Sequence, residues 1–189
     1  MEFNINSISD YFDKLRLALS LAEMNKIKFL ADSMLDAAKN KKNIFFCGNG
    51  GSAGNANHLA NDFLFGAGKF NECGIRVESL ASNSSVITCL ANDIGYDEIF
   101  SEQLRVKGNK DDILILLSGS GNSSNIIKAI ETADKLKMKT FAILGFDGGK
   151  AKKLVKYPIH FNINDMQISE DMQLIVGHIC MKYLSVNKF

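Results

Sequence analysis

Cys47-Gly48-Asn49-Gly50-Gly51-Ser52-Ala53-Gly54-Asn55-Ala56-Asn57-His58 follows directly on the apolar run Ile44-Phe45-Phe46. A buried strand, a glycine-rich turn and the first turn of a helix, in that order, make a place for an anion. Glycine lets the backbone come close to a ligand, and the unpaired N–H groups of the first helical turn point at whatever sits there. The pattern recurs downstream. Ile113-Leu114-Ile115-Leu116-Leu117 runs into Ser118-Gly119-Ser120-Gly121-Asn122-Ser123-Ser124-Asn125 and then a second helical pattern. An N-cap needs one serine, and this junction has four. Serine hydroxyls donate to phosphate oxygens without adding charge, and the helix dipole favours the anion. Neither loop ends in the Lys-Ser/Thr of a nucleotide P-loop, and the spacing of Gly48, Gly50, Gly51 and Gly54 departs from the dinucleotide fingerprint. A phosphosugar suits these loops better than a nucleotide.

Outward from the two loops the chain alternates strand and helix. Strands are expected at 44–47, 75–80, 113–117, 140–144 and 157–161, and helices at 52–66, 84–90, 97–106, 123–136 and 169–184. Continuous apolar strands separated by helices indicate a mainly parallel five-stranded sheet covered on both faces, a three-layer doubly wound α/β sandwich. Ligands of such sheets gather beyond the carboxyl ends of the strands. Ahead of the sheet, residues 5 to about 40 carry apolar positions at helical spacing in two blocks, a helical hairpin expected to pack on a neighbouring subunit. No repeat or Pro/Ser-rich linker interrupts the chain, so residues 1–189 read as one domain, with 1–40 a helical extension and 41–189 the α/β core.

Composition narrows the function classes. A net charge of +1 gives no reason to expect nucleic acid or an anionic membrane as partner. The short basic blocks Lys39–Lys42 and Lys150–Lys153 read as solvated surface. No apolar run approaches a membrane span and the N-terminus has no basic-then-apolar leader, so the cytoplasm is expected. Cys47, Cys73, Cys89 and Cys180 are scattered without metal-type spacing; Cys47 and Cys180 read as small core residues, and no disulfide framework is expected.

The ordered motifs resemble the sugar isomerase (SIS) domain family, and within it the phosphoheptose (sedoheptulose 7-phosphate) isomerases. Gly48-Asn49-Gly50-Gly51-Ser52-Ala53 matches that family's first loop, and Ala91-Asn92-Asp93-Ile94-Gly95-Tyr96 its Asn-Asp-x-Gly-Tyr/Phe segment. Ser118–Ser123 matches its Ser-Thr-Ser-Gly-Asn-Ser loop, and Gly177-His178 its last helix. The resemblance implies a homotetramer with active sites between subunits, an aldose–ketose isomerisation through an enediol, and a place in heptose supply for lipopolysaccharide or capsule. It also implies that Asn49, Gly50, Gly51, Ser52, Asn92 and Asp93 line the sugar, and that Ser118, Gly119, Ser120 and Ser123 hold the phosphate.

The same resemblance implies zinc, bound by His58 and Asp62 on the helix after the first loop and by Glu170 and His178 on the last. Spacing of four puts His58 and Asp62 on one helical face, and Glu170 and His178 lean to a common side two turns apart; zinc accepts such nitrogen and carboxylate ligands. Asp62 stands where the family has its glutamate base, with His178 as partner acid and Glu170 also against the substrate. Aspartate is one methylene shorter, roughly 1.5 Å of reach, and a misplacement of about 1 Å can cost on the order of a hundredfold in rate. Other positions depart too: Asp171 replaces a Glu, Gln173 a frequent His and Asn83 an Asp. Two function readings follow: a metal-assisted isomerase of sedoheptulose 7-phosphate, and a non-catalytic SIS protein that binds a phosphosugar or a protein. His160, in the last strand, has no counterpart and reads as structural.

Overall fold

The computed structural model describes residues 5–70 and 74–189, so Cys73 lies outside the described residues. Five parallel strands form one sheet in the order β2-β1-β3-β4-β5, with β1 Ile44–Gly48, β2 Val77–Ser79, β3 Ile113–Ser118, β4 Lys139–Leu144 and β5 Tyr157–His160. The chain winds outward from β1 to the edge strand β2, then returns to place β3 on the other side of β1. The order therefore reverses between β1 and β3. Loops leaving those two strands diverge and open a crevice at their carboxyl ends. Both glycine-rich loops of the sequence sit at this switch point.

Alternation along each strand divides the core in two. Ile44 and Phe46 of β1, with Ile113, Ile115 and Leu117 of β3, face the layer of α2 (Met24–Lys39), α3 (Gly51–Asn61) and α8 (Met166–Val186). Phe45, Cys47, Leu114 and Leu116 face α5 (Ser101–Lys107) and α6 (Ser124–Lys135). Burial on both faces is why these strands read as unbroken apolar runs instead of alternating ones. Cys47 and Cys180 are buried in the two cores, as expected, and burial drives the Cys180 thiol pKa up to about 12. The hairpin is present as α1 (Ile5–Ser20) and α2. Tyr11 and Lys14 of α1 bind the start of α8, the tyrosine hydroxyl donating to Asp171 at 2.5 Å and the lysine pairing with Asp165 at 2.8 Å. α1 also leaves Ile5, Ile8, Phe12 and Leu19 exposed.

Three local differences from expectation have identifiable causes. The helix expected over 52–66 is α-helical only to Asn61 and continues as a wide π turn, Asp62–Gly66. Phe63 is fully buried with its ring stacked on Phe46, and its carbonyl accepts the Ile75 N–H, which takes that carbonyl out of the regular helical ladder. The helix expected over 97–106 opens as a 3₁₀ turn, Tyr96–Glu98, before α5. Lys150–Lys153 overlaps a short helix, α7 (Ala151–Leu154), whose alanine is buried and whose lysines face solvent.

The 3₁₀ turn is fastened by Glu98. Its carboxylate accepts from Lys128 at 2.6 Å, from the Ser101 hydroxyl at 2.5 Å and from Arg105 at 3.2 Å. The lysine and serine hydrogen bonds hold its pKa down at about 2. A carboxyl depressed in the folded state contributes stability at and above the ordinary carboxylate range, and that contribution disappears as pH falls toward 2. Glu98→Gln is expected to lower stability at pH 7 by about 1–2 kcal/mol and to flatten the loss between pH 5 and 2. Urea unfolding midpoints of both proteins across that range check the sign and the size.

Candidate functional site

The two loops meet in one cleft of about 270 Å³ at the switch point. Asn49, Gly50, Gly51 and Ser52 line it from the β1 side, Ser118, Gly119, Ser120 and Ser123 from the β3 side, and Met166 and Glu170 from α8. Gly50, in the left-handed region at φ 55°, turns the chain into α3. A Cβ on Gly51 would lie 2.3 Å from the Glu170 carboxylate, so a side chain there would displace Glu170 from the cleft wall. Ser118 Oγ accepts the Gly121 N–H at 3.0 Å, which folds the serine loop back on itself. Ser123 occupies the N-cap of α6 but makes no side-chain capping bond, so its hydroxyl remains to face the cleft. A serine placed there only as a cap would be spent on the helix.

Ser52 differs from the other serines. Its hydroxyl is buried and accepts from Gln173 Nε2 at 3.0 Å, while Gln173 Oε1 accepts from Asn55 Nδ2 at 3.0 Å. Ser52, Asn55 and Gln173 thus tie α3 to α8 inside the protein. Asn92 and Asp93 are exposed at the end of α4 (Ser84–Asp93), where Asn92 donates to Asp93 at 2.8 Å; they are not among the residues lining this cleft.

A cross-link between the loops escaped the sequence reading. Asn49 Nδ2 donates to Asn125 Oδ1 at 2.9 Å and Asn125 Nδ2 donates back to Asn49 Oδ1 at 2.8 Å. The Tyr96 hydroxyl adds a third bond to Asn49 Oδ1 at 3.1 Å. Asn125 is buried and does not line the cleft, so its effect there is through Asn49. Asn125→Ala removes two hydrogen bonds from the half-buried Asn49 amide, which keeps that of the Tyr96 hydroxyl, and lets Asn49 turn; the expected cost is about 1–3 kcal/mol of stability and a weaker hold on any ligand in the cleft. Asn125→Asp keeps one acceptor and is expected to lie between the two. Thermal unfolding together with ligand titration separates the structural loss from the loss of positioning.

A second group lies further along the α3/α8 pair. His58 Nε2 and His178 Nε2 are 3.0 Å apart, and Asp62 Oδ2 lies 3.5 Å from the first and 3.6 Å from the second. Among the described residues these three form the one cluster of side chains with donor atoms close enough to hold a metal ion. Ligands of a tetrahedral zinc with bonds of 2.0–2.1 Å stand about 3.3 Å from each other, so the donor set fits such an ion in chemistry and in separation. Asp62, in spite of its shorter side chain, reaches both imidazoles. Glu170 is not in this cluster. Eight residues of α-helix place it about 12 Å from His178 along the axis, against Gly51 in the cleft. Helical spacing put Glu170 and His178 on one side; the rise per residue keeps them apart. His160 is structural in the described chain: its Nε2 lies 2.9 Å from the Phe146 carbonyl, which can only accept, leaving Nδ1 to take the Lys152 ammonium at 3.1 Å.

A sequence model of the SIS domain matches residues 10–145. The chain belongs to the SIS domain family. Within that family it resembles the phosphoheptose isomerases. One from Helicobacter pylori (strain P12) is 40% identical over 160 residues, covering 85% of this chain and 82% of that protein. Another, from Akkermansia muciniphila, is 35% identical over 178 residues, covering 94% and 93%. The structure of the phosphoheptose isomerase from Neisseria gonorrhoeae superimposes with a TM-score of 0.88 at 27% identity, covering 96% of this SIS domain protein and 98% of that chain. The Francisella tularensis phosphoheptose isomerase gives a TM-score of 0.90 at 24% identity, which bears on the fold. A parallel five-stranded sheet between helical layers is thus both the architecture of this chain and the SIS fold, and the expected fold class holds.

Proposed function

We propose that this SIS domain protein, an isomerase of phosphosugars, interconverts sedoheptulose 7-phosphate and a glycero-manno-heptose 7-phosphate through an enediol. The observation that carries the reading is the convergence of His58, Asp62 and His178 to within 3.6 Å of one another in a chain that also builds a serine-lined anion cleft. A protein that only bound a phosphosugar would have no need of the first. The relatives named phosphoheptose isomerase support the seven-carbon substrate.

The serine loop, with the N-terminal dipole of α6, takes the phosphate through Ser118, Ser120 and Ser123. Asn49, Gly50, Gly51 and Glu170 position the polyol. Asp62 turns Oδ2 toward the imidazoles, which leaves Oδ1 to remove the proton beside the carbonyl, and His178 returns a proton to the oxygen. Zinc held by His58, Asp62 and His178 would polarise the carbonyl and stabilise the enediolate charge.

Each of these imidazoles is about half exposed, with side-chain exposure of 48%, and exposed Leu64, Phe65 and Ile179 lie close by in sequence. Proton abstraction beside a carbonyl gains from a water-poor site. Glu170 can reach the metal group only from another copy, given its distance along α8. Both points support a homotetramer with sites between subunits, as does the apolar outer face of α1. We place Asn92 and Asp93 at the same shared site, reached from their exposed position on α4. Among the described residues no helix is long and apolar enough to cross a membrane, in keeping with the cytoplasmic location we propose. Incubating the purified protein with zinc and sedoheptulose 7-phosphate and following the anomeric proton signals by NMR tests the reaction. The aldose is the expected product. No product from this sugar, with zinc bound stoichiometrically, would redirect the assignment to another phosphosugar.

A further inference from the structure

Among the described residues that line the serine cleft, the only charged side chain is Glu170, and it is negative. A phosphate dianion entering there meets hydroxyls, backbone amides and a helix dipole, with an opposing carboxylate at the far wall and no cation. The positive charge lies behind the loop. The turn Gly148-Gly149 presses against it so closely that a Cβ on Gly121 would lie 2.1 Å from the Gly148 carbonyl, and Asn122 Oδ1 accepts the Lys150 N–H at 3.0 Å. That turn carries Lys150, Lys152 and Lys153 around an open hollow of about 460 Å³, three ammonium groups against the single carboxylate of Asp147.

The hollow itself is poorly equipped to bind. The N–H groups of Gly149, Lys150, Ala151, Lys152 and Lys153 are all taken, by Asp147 Oδ1, Asn122 Oδ1 and the carbonyls of Gly121, Gly148 and Lys150. The Asn122 amide is spent on Ser120 and Lys150. Only the exposed ammonium groups remain, that of Lys152 already resting on His160 Nδ1, and a set of exposed charges beside an uncharged cradle acts as a field more than as a binding site. We propose that Lys150, Lys152 and Lys153 steer phosphorylated ligands into the serine cleft and offset their charge there without touching them. The block that sequence reads as solvated surface thereby sets the preference for phosphorylated over neutral sugars. This rests on the proposed phosphosugar site, and the effect is long-ranged, so it extends over a Debye length of about 30 Å at 0.01 M salt and fades as that length falls below 10 Å.

The test compares the wild type with K150Q/K152Q/K153Q, with K150Q/K153Q, which spares the Lys152–His160 contact, and with the charge-preserving triple arginine variant. Two readouts are taken between 0.01 and 0.3 M salt: kcat and kcat/KM for the sugar phosphate, and the Kd of inorganic phosphate by calorimetry. At 0.01 M salt the triple glutamine variant should lose about tenfold in kcat/KM and in phosphate affinity with kcat unchanged. The double variant should lose part of that, and the arginine variant nothing. The gap should close by 0.3 M. Equal phosphate affinity of wild type and triple glutamine variant at 0.01 M, a deficit that persists at 0.3 M, or a wild type that binds no phosphate overturns the proposal. Absence of turnover with an intact, salt-dependent difference in phosphate Kd overturns the isomerase reading and leaves the steering in place.

Discussion

His178→Ala lowers isomerase turnover by about a thousandfold or more while the fold stays intact. The imidazole is half exposed and on the outer side of α8, so little packing goes with it. What goes is the imidazole proposed as proton donor, within 3.6 Å of the Asp62 carboxylate, and one of two nitrogens that meet at 3.0 Å. Positioned acid–base groups contribute typically 10²–10⁴-fold, and the same substitution takes one donor from the three-residue group proposed to hold zinc. Far-UV circular dichroism and the unfolding midpoint should match the wild type, while zinc stoichiometry and turnover both fall. Asp62→Glu offers a complementary check. The longer carboxylate should keep the metal, and its rate reports how well the site is fitted to aspartate.

Gly121→Ala should cost about 3 kcal/mol or more and abolish phosphate binding. Gly121 sits at φ 65°, where a side chain is strained, and the added Cβ would meet the Gly148 carbonyl at 2.1 Å. That neighbour is backbone and is held in place, since the Ala151 N–H donates to the Gly121 carbonyl at 2.9 Å. Strain and collision add at one position, and the Ser118 bond to the Gly121 N–H that shapes the loop is lost with them. Gly119→Ala is the control. Its Cβ would meet the thioether of Met166, a flexible side chain that can turn away, so the expected cost is under about 1.5 kcal/mol. Chemical denaturation of both variants, with phosphate titration, distinguishes a broken loop from a crowded one.

The legible parts of this molecule are those encoded within a single segment. β1 and β3 are unbroken apolar runs ending in glycine and serine, so strand, loop and helix could be placed in order, and nine of the eleven residues expected to bind substrate line one cleft. His58 and Asp62 share a helical face by their spacing alone. The less legible parts join distant segments. Asn49 and Asn125 bond each other across 76 positions only because β1 and β3 are neighbours in the sheet. Gln173 supports Ser52 from α8 across 121 positions. The π turn at Asp62 depends on Phe63 being drawn to Phe46 and its carbonyl to Ile75. Glu170 is instructive in the other direction. Its side of the helix could be read from spacing, yet about 12 Å of axial rise, equally available from the residue count, separates it from His178. Resemblance grouped four ligands; one chain brings together three.

The most direct measurement is deuterium wash-in. The purified zinc-loaded protein is incubated with sedoheptulose 7-phosphate in D₂O, and the carbon-bound hydrogens next to the carbonyl are followed by ¹H NMR. Removal of that proton by Asp62 and return of a solvent-exchanged one predicts deuterium at the carbon beside the carbonyl, in recovered ketose and in the aldose formed, with incorporation about a thousandfold slower in the His178→Ala variant. Unlabelled sugar in the presence of protein that demonstrably binds it would contradict the account and favour a protein that holds a phosphosugar without transforming it.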